Sequence, residues 1–506
     1  MTGDQIQILV AMCLYMVAML VVGGIYSKRN NSTSDYLLGG RKLGPLVTAM
    51  SAEASDMSGW LLMGLPGLAY LTGIGEVFWT AVGLAIGTYL NWLFVAKRLR
   101  KYTKVSGDAI TLPDYFSNRF RDNKKILMSI AAVLILFFFV IYLGSGFAAM
   151  GKLFKSLFGI DYTLMMIISA LVIIAYSVVG GFLAVCTTDL IQGILMFFAL
   201  LAIVIFGYAA VGGADQIAAN LSGLNGYFNI WGALDKETQT FTQFNPITII
   251  STLAWGLGYF GMPHILLRFM AIRKVKQIRT SRRIATVWVV ISLCAAILIG
   301  VLGRALLGGT LVVGRQEETV FPVLATTLFP AFIAGILISG ILASTMSTSD
   351  SQLLAASSVI SKNFYQGIIK KDATDKQVLT VSKITVIVAA LVGIIFALDE
   401  NSTVFGIVSY AWAGFGATFG PLVILSLFWR RMNKWGALAG MIGGAATVII
   451  WKELLKQLGG VFSIYELLPG FIVAMVAIVV VSLLTKAPSQ EIIDEFDSVK
   501  TAEVDE

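Results

Sequence analysis

The stretch Met50-Ser-Ala-Glu-Ala-Ser-Asp-Met-Ser-Gly-Trp60, followed by Gly64, Pro66 and Gly67, decides how this chain folds. It lies in an apolar segment, residues 46–72, that is long enough to cross the roughly 30 Å of a bilayer's hydrocarbon core. Glycine and proline interrupt the hydrogen-bond ladder of a helix, and carbonyls freed at membrane depth must then meet protein, water or an ion. The sequence therefore predicts a broken membrane helix with polar groups at its centre.

The composition of the whole chain also points to the membrane. Of its 506 residues, 57% are hydrophobic and only 13% are charged, whereas soluble domains carry roughly 25% charged residues. The apolar residues form blocks about twenty residues long, which suit helices and not the short alternating segments of a barrel. We therefore predict an all-α membrane protein with about thirteen transmembrane helices. The predicted spans are residues 6–26, 46–72, 75–96, 127–151, 162–180, 187–211, 247–270, 284–308, 328–361, 377–398, 404–428, 435–453 and 465–485.

Clustered lysines and arginines orient these spans. They crowd two loops, residues 97–125 and 273–283, which fall on the same side of the membrane in this arrangement. Because basic loops stay in the cytoplasm, we place the N-terminus outside and the acidic tail, residues 486–506, inside, where its composition predicts disorder. The net charge of +8 is thus an orientation signal, and no nucleic-acid partner is predicted.

A second break is predicted at Trp255-Gly-Leu-Gly-Tyr-Phe-Gly-Met-Pro263, which holds three glycines and a proline in nine residues. The two breaks open two halves of five spans each, residues 46–211 and 247–428. Because five is odd, the halves must have inverted topology. Broken helices at corresponding places in inverted repeats predict a binding site between them near the midplane. Around this core we predict an outer helix with the first cytoplasmic loop (1–45), an extracellular loop (212–246) and two peripheral helices (429–485).

Two carboxylates lie at the depth of the first break. Asp56, which lies between Ser55 and Ser58, costs at least a few kcal/mol in hydrocarbon unless it is paired or solvated, so it predicts a role in ion binding. The alternative is that Asp56 caps exposed N–H groups at the break. Glu53 lies one helical turn away. Because two close carboxylates cannot both ionise cheaply, Glu53 could hold a proton, pair with a substrate ammonium or tune the cation.

Hydroxyl and aromatic side chains are the other polar groups predicted at this depth. Residues 344–351, Ser-Thr-Met-Ser-Thr-Ser-Asp-Ser, form a hydroxyl run inside an apolar helix. Hydroxyls and freed carbonyls supply the oxygen ligands of a hard cation, although the hydroxyls could equally bond back to their own helix. The aromatic residues predict the walls of a pocket, and they are Trp60, Tyr142, Trp255 and Tyr259. The sole histidine, His264, is interpreted as a packed side chain.

Several long motifs point to one family. They are Asp35-Tyr-Leu-Leu-Gly-Gly-Arg41, Ala54-Ser-Asp-Met-Ser-Gly-Trp-Leu-Leu-Met-Gly-Leu-Pro-Gly67, Leu112-Pro-Asp-Tyr115, Gly180-Gly-Phe-Leu-Ala-Val185, Trp255-Gly-Leu-Gly-Tyr-Phe-Gly261, Met346-Ser-Thr348 and Tyr410-Ala-Trp-Ala-Gly-Phe-Gly416. With these motifs the chain resembles the sodium/solute symporter family from about Tyr36 to Pro488. The resemblance implies a leucine-transporter-type fold in a bacterial cytoplasmic membrane. It also implies sodium-coupled uptake of L-proline or a similar small amino acid by alternating access, no enzymatic activity, and no cofactor apart from sodium as the coupling ion.

The resemblance also implies which residues form the site. The sodium ligands are the carbonyls of Ala54, Met57 and Ser344 and the hydroxyls of Ser347 and Thr348. Residues associated with the cation are Asp56, Ser58 and Asp189. The substrate pocket is formed by Trp60, Tyr142, Trp255, Tyr259 and Pro263.

Two positions depart from the family pattern, which has a small residue, usually glycine, in place of Glu53 and glutamine in place of Met262. Both lie at the breaks, so they are candidate switches of substrate specificity or ion coupling. An alternative function with the same fold is therefore proton-coupled or mixed-ion transport of a different small solute through Glu53.

A sensor or channel-like protein is a third alternative. No G-x-x-x-x-G-K-[ST] or H-E-x-x-H motif occurs to indicate an ATP-driven pump or a metalloenzyme. The sequence does not indicate an oligomeric state.

Overall fold

The computed structural model describes residues 1–27 and 33–505, without the side chains of residues 27 and 179. Residues 28–32, in the predicted first cytoplasmic loop, lie outside this part of the chain. The helices of the first half are α1 (Gly3–Ser27), α2 (Thr33–Leu38), α3 (Pro45–Gly59), α4 (Leu65–Thr72), α5 (Ile74–Leu90), α6 (Ala96–Val105), α7 (Leu112–Arg119), α8 (Ile126–Phe158), α9 (Tyr162–Val179) and α10 (Phe182–Val211). A 3₁₀ turn covers Gly39–Arg41, and π-helical turns cover Trp60–Gly64 and Asn91–Val95.

The segment between the halves holds the only strands in the described residues. After α11 (Ala214–Asn220), strands β1 (Gly232–Leu234) and β2 (Phe241–Gln243) form an antiparallel hairpin. The all-α prediction misses this small hairpin, whose strands are too short to show a period in the sequence.

The second half is again helical. Its helices are α12 (Pro246–Leu253), α13 (Pro263–Ala271), α14 (Ile278–Leu307), α15 (Val320–Leu328), α16 (Ala331–Ser358), α17 (Asp375–Ile395), α18 (Val404–Phe428), α19 (Lys434–Ile450), α20 (Leu467–Leu484) and α21 (Gln490–Ser498). Its 3₁₀ turns are Ala254–Gly261, Val275–Gln277, Glu317–Thr319, Lys456–Leu458 and Gly460–Ser463, and its π-helical turns are Val359–Ile369 and Trp451–Leu455.

Both predicted breaks are present, but their backbones differ. At the first, Ser58 has φ 49° and ψ −170°, a left-handed φ that is uncommon for serine, and α3 and α4 are joined through the π-helical turn. At the second, α12 tightens into the 3₁₀ helix Ala254–Gly261. After a 47° bend, α13 begins at Pro263, where proline costs no helical hydrogen bond.

Glycines let the second break approach α5. A Cβ built on Gly83 would lie 3.0 Å from the Cα of Leu253, and one built on Gly87 would lie 2.6 Å from the Cα of Gly256. Small residues allow membrane helices to touch backbone to backbone. The first half therefore packs directly on the second break.

Every predicted span coincides with a helix or a broken helix pair. Among the described residues, ten helices are long and apolar enough to cross a bilayer, and the bent pair Pro246–Gly261 and Pro263–Ala271 adds an eleventh. The broken pair α3–α4 and the shorter α9 account for the other two predicted spans. The exact number of crossings, and the division into two repeats at residues 46–211 and 247–428, stay predictions.

The prediction that the acidic tail is disordered is wrong. Helix α21 forms within it, and the Phe496 and Val499 side chains are buried. Arg121 pairs with Glu495 at 2.7 Å, and the Arg98 guanidinium lies 4.7 Å from the centre of the Phe496 ring. The acidic composition of the tail did not reveal this amphipathic helix, which is held by Arg98 of α6 and by Arg121, which follows α7.

Candidate substrate and cation site between the broken helices

The backbone carbonyl of Ala54 links α3 to the hydroxyl run of α16. The Ser347 hydroxyl lies 2.8 Å from this carbonyl and 3.2 Å from the carbonyl of Ser344. Next along the helix, the Thr348 hydroxyl is buried without a hydrogen-bond partner among the described residues. These are neutral, hard oxygen donors, which suit a sodium ion.

Of the five predicted sodium ligands, the structure thus brings Ala54, Ser344 and Ser347 into direct contact and places Thr348 beside them. The Met57 carbonyl accepts a hydrogen bond from the backbone N–H of Trp60, so this carbonyl is hydrogen-bonded within the first break. The alternative that the run only bonds back to its own helix is incomplete, because Ser347 also reaches Ala54.

The Asp56 carboxylate points to the second break instead. Its Oδ2 accepts a hydrogen bond from the Tyr259 hydroxyl at 2.7 Å, and its backbone carbonyl accepts one from Tyr142 at 3.0 Å. Neither carboxylate oxygen of Asp56 accepts a backbone N–H within the described residues, so Asp56 does not cap the break. The Ser58 hydroxyl fills that role by accepting the N–H of Trp60 at 3.2 Å.

Glu53 is equally buried, and its Oε1 accepts a hydrogen bond from the Trp92 indole at 3.1 Å. Its Oε2 and the Oδ1 of Asp56 have no hydrogen-bond partner in the part of the chain that the structure describes. Met262 is fully buried at the start of α13. Within the described residues, neither the Glu53 nor the Asp56 carboxylate has a basic partner.

Asp189, which was predicted to be associated with the cation, lies in an ion pair. Its Oδ2 is 3.2 Å from the Arg268 guanidinium and 2.6 Å from the Ser51 hydroxyl. Arg268 also donates to the His264 carbonyl and to Ser351. The sequence analysis missed Arg268, although an arginine inside the span predicted at residues 247–270 is itself a signal for function or pairing.

Aromatic rings line a small cavity of about 10 Å³ beside Asp56, which has room for about one water molecule. Trp60 stacks on Trp255 with ring centres 5.6 Å apart, and Phe405 packs against both rings. The Trp412 indole donates to the Trp255 carbonyl at 2.8 Å. The cavity is lined by Asp56, Met57, Trp60, Leu84, Tyr142, Trp255, Val408 and Trp412.

The predicted pocket residues Trp60, Tyr142 and Trp255 thus line one cavity. Tyr259 is not part of the lining, but its hydroxyl donates a hydrogen bond to Asp56, which is. Pro263 is the first residue of α13 and does not line the cavity either. Trp412 was missed as a pocket residue, although the motif Tyr410–Gly416 contains it. His264 is buried 5.8 Å from the Phe139 ring centre, as a packed side chain should be.

Two helix breaks that face each other across a small cavity, in a polytopic helical protein, are typical of membrane transporters. A solved structure of a Na⁺-coupled sialic acid symporter matches it with a TM-score of 0.77, at 21% identity, over 96% of this chain and 99% of that chain. A nucleobase-cation-symport-1 family transporter matches with a TM-score of 0.54, at 14% identity, over 92% and 99%. These likenesses confirm the leucine-transporter-type fold.

The model of the "Sodium:solute symporter family" matches residues 36–444, and the chain belongs to this family. It is 46% identical to a sodium/proline symporter of Haemophilus influenzae over 98% of both chains. It is also 46% identical to a high-affinity proline transporter of Bacillus subtilis, over 95% of this chain and 98% of the relative. A sodium/proline symporter of Escherichia coli is 46% identical over 95% and 94%. The protein is therefore a transporter and not an enzyme.

Proposed function

We propose that this protein is a sodium-coupled symporter that takes up proline, or a similarly small amino acid, across a bacterial cytoplasmic membrane. The names and full-length similarity of its relatives support proline as the solute and sodium as the driving ion. The observation that carries the proposal is the contact between the Ser347 hydroxyl and the Ala54 carbonyl, because it joins the two predicted repeats through oxygen donors at a helix break.

Sodium is proposed to bind between α3 and α16. Its ligands are the carbonyls of Ala54, Met57 and Ser344 and the hydroxyls of Ser347 and Thr348. An ion among these donors takes the place of the Ser347 hydroxyl proton in attracting the Ala54 carbonyl. It stabilises the first break at the start of the pocket. By thermodynamic linkage, a solute that binds more tightly with sodium present must also raise the affinity for sodium.

The amino acid is proposed to bind in the aromatic cavity. The stacked Trp60 and Trp255 rings offer an apolar face to a small aliphatic ring, and Asp56 with the Tyr142 hydroxyl offers polar contacts at one end. Phe405 packs over the two indoles, and the cavity of about 10 Å³ must widen before the amino acid can bind. Alternating access then opens this cavity to one side of the membrane at a time.

The orientation is proposed from charge. The basic loops and the docked acidic tail face the cytoplasm, and the N-terminus lies outside. Proton-coupled or mixed-ion transport through Glu53 stays the alternative.

A ligand screen by thermal unfolding tests this proposal. The purified protein is heated with each proteinogenic amino acid in sodium chloride and in choline chloride. A ligand that binds only the folded state stabilises it by RT ln(1 + [L]/Kd) and therefore raises the unfolding temperature. We expect proline to stabilise the protein in sodium and not in choline. Equal stabilisation in both salts, or stabilisation only by another class of solute, contradicts the proposal.

A further inference from the structure

The peripheral helices α19 and α20 lie outside the two predicted repeats, yet the segment that joins them reaches the second break. Just before α20, the backbone N–H of Tyr465 donates a hydrogen bond to the Ser251 hydroxyl of α12 at 2.6 Å. The Tyr465 hydroxyl donates to the Ser409 carbonyl of α18 at 2.7 Å, and the residue is buried. Both the backbone and the side chain of Tyr465 are therefore held by helices of the second predicted repeat.

A glycine in α18 lets α20 and the second break meet at the same place. A Cβ built on Gly416 would lie 2.8 Å from the Cα of Gly258 and 2.6 Å from the Cδ1 of Leu467, the first residue of α20. Small residues permit such close approach between membrane helices. The start of α20 and the second break therefore lie side by side on α18.

The Tyr465 ring supports one wall of the aromatic cavity. It stacks on the Trp255 indole, with ring centres 5.0 Å apart and planes 20° apart. Trp255 lines the cavity, whereas Tyr465 does not. Trp255 also stacks on Trp60 with ring centres 5.6 Å apart, and its carbonyl accepts a hydrogen bond from the Trp412 indole at 2.8 Å. Tyr465 therefore acts on a bound solute through the position of Trp255.

The cavity can admit an amino acid only when the rings that now touch move apart. Of the two stacked indoles, Trp255 is the more firmly held, because Tyr465 stacks on its ring and Trp412 bonds to its backbone. Trp60 lies on the π-helical turn of the first break, and its indole nitrogen has no hydrogen-bond partner among the described residues. We therefore expect Trp60 to move away while Trp255 stays in place.

We propose that Tyr465 is a positioning residue that sets the ring size the amino-acid site accepts. Its ring holds Trp255 where the widened cavity fits a five-membered ring better than a six-membered one. A shorter side chain in its place lets Trp255 retreat, which weakens the contact with proline and makes room for one more methylene group. The inference rests on the proposed uptake of proline and adds a residue that determines its specificity.

The test compares proline with pipecolic acid, its six-membered homologue, using the full-length protein in proteoliposomes. Each unlabelled compound competes with radiolabelled proline for sodium-driven uptake, and the ratio of their half-inhibition concentrations gives the preference. In the unaltered protein, pipecolic acid should be at least about tenfold weaker, the low end for one methylene group in an apolar pocket.

In Tyr465→Leu, the KM for proline should rise about fivefold, as loss of one aromatic pair predicts. The maximal rate should stay nearly unchanged, because the wall contacts the solute in the ground state and the transition state alike. The preference for proline should shrink by about the same factor of five. If Tyr465→Leu does not fold, Tyr465→Met, whose longer side chain retains more of the packing, should show the same shifts.

Two variants serve as controls. Tyr465→Phe keeps the ring and removes only the bond to Ser409, so it should retain both the KM and the preference of the unaltered protein. Phe462→Leu removes a ring from the same segment. That ring packs on Trp451 with centres 5.4 Å apart and, within the described residues, makes no ring contact with Trp255. Phe462→Leu should therefore leave the preference unchanged.

Three results overturn the inference while leaving proline uptake intact. They are equal potency of the two amino acids on the unaltered protein, an unchanged preference in Tyr465→Leu, and an equally reduced preference in Phe462→Leu, which would indicate a general loosening of the segment. Absence of proline uptake by the unaltered protein overturns the proposed function and this inference together.

Discussion

Among the buried acidic residues of the described core, Asp189 and the pair Glu53 and Asp56 are compensated in different ways. Asp189 is held by Arg268 and Ser51. Glu53 and Asp56 receive only neutral donors, the Trp92 indole and the Tyr259 hydroxyl. The guanidinium gives Asp189 a permanent partner, whereas Glu53 and Asp56 have no basic partner among the described residues. We therefore expect the Asp189–Arg268 pair to stabilise the bundle in any salt, and the stability around Glu53 and Asp56 to depend on the ions in solution.

Breaking the permanent pair should have the largest effect. Arg268→Met leaves Asp189 buried and unpaired, which costs about 3–5 kcal/mol. We expect a strongly lowered unfolding temperature in detergent, in sodium and in choline alike. Because the buried Asp350 also interacts with Arg268, the variant that removes all three charges, Asp189→Leu with Arg268→Met and Asp350→Leu, should regain much of the loss. If Arg268→Met unfolds at the same temperature as the unaltered protein, the ion pair with Asp189 does not stabilise the bundle.

Removing a neutral donor from the second pair should have a smaller effect that depends on sodium. Tyr259→Phe deletes the hydrogen bond to Asp56, and a bond to a charged group contributes about 1.5–3 kcal/mol. We expect a lower unfolding temperature in choline, with partial recovery in sodium. Tyr227→Phe is the matched control, because it removes a buried bond to the neutral carbonyl of Ala69. The decrease in the unfolding temperature of Tyr227→Phe should be the same in sodium and in choline. If Tyr259→Phe shows the same salt dependence as Tyr227→Phe, the expected difference between the two groups of acidic residues is wrong.

The Ser347 hydroxyl tests the proposed cation site. Ser347→Ala should raise the sodium concentration that gives half-maximal proline uptake roughly tenfold, which corresponds to about 1.4 kcal/mol. Ser339→Ala is the control on the same helix, since the Ser339 hydroxyl bonds only to the Gly335 carbonyl one turn away. An unchanged sodium dependence in Ser347→Ala excludes this hydroxyl as a ligand.

Breaking a contact of the docked tail should have the smallest effect on stability. Glu495→Gln breaks the ion pair with Arg121, whose side chains are 13% and 34% exposed. Pairs open to solvent contribute about 0.2–1 kcal/mol, so the unfolding temperature should change little and uptake not at all. Limited proteolysis of the tail should quicken slightly. A loss of transport would instead give this contact a role in the transport cycle.

Much of the fold could be predicted because membrane helices follow simple rules. Apolar length located every helical span, and glycine with proline located both breaks. The tail could not be predicted from its own composition, because its order depends on Phe496 and on arginines hundreds of residues away. The short hairpin of β1 and β2 is likewise fixed by tertiary context rather than by local pattern.

The site was only partly predictable for a related reason. Polar residues at membrane depth stand out in a sequence, so Glu53, Asp56 and Ser347 were found. Their partners were not evident, because pairing across helices leaves no mark in either sequence segment. Asp189 was predicted to be associated with the cation, and its ion pair with Arg268 was not foreseen. Trp412 was quoted in a motif, but its place over the cavity follows only from how α18 packs on the second break.

The central claim is that the sodium gradient drives uptake through the oxygen site at the first break. Radiolabelled proline uptake into proteoliposomes, with the sodium and proton gradients imposed separately at zero membrane potential, tests it most directly. We predict accumulation with the inward sodium gradient alone, and its loss at the same sodium concentration in Ser347→Ala. Accumulation that follows the proton gradient and ignores sodium would contradict the account.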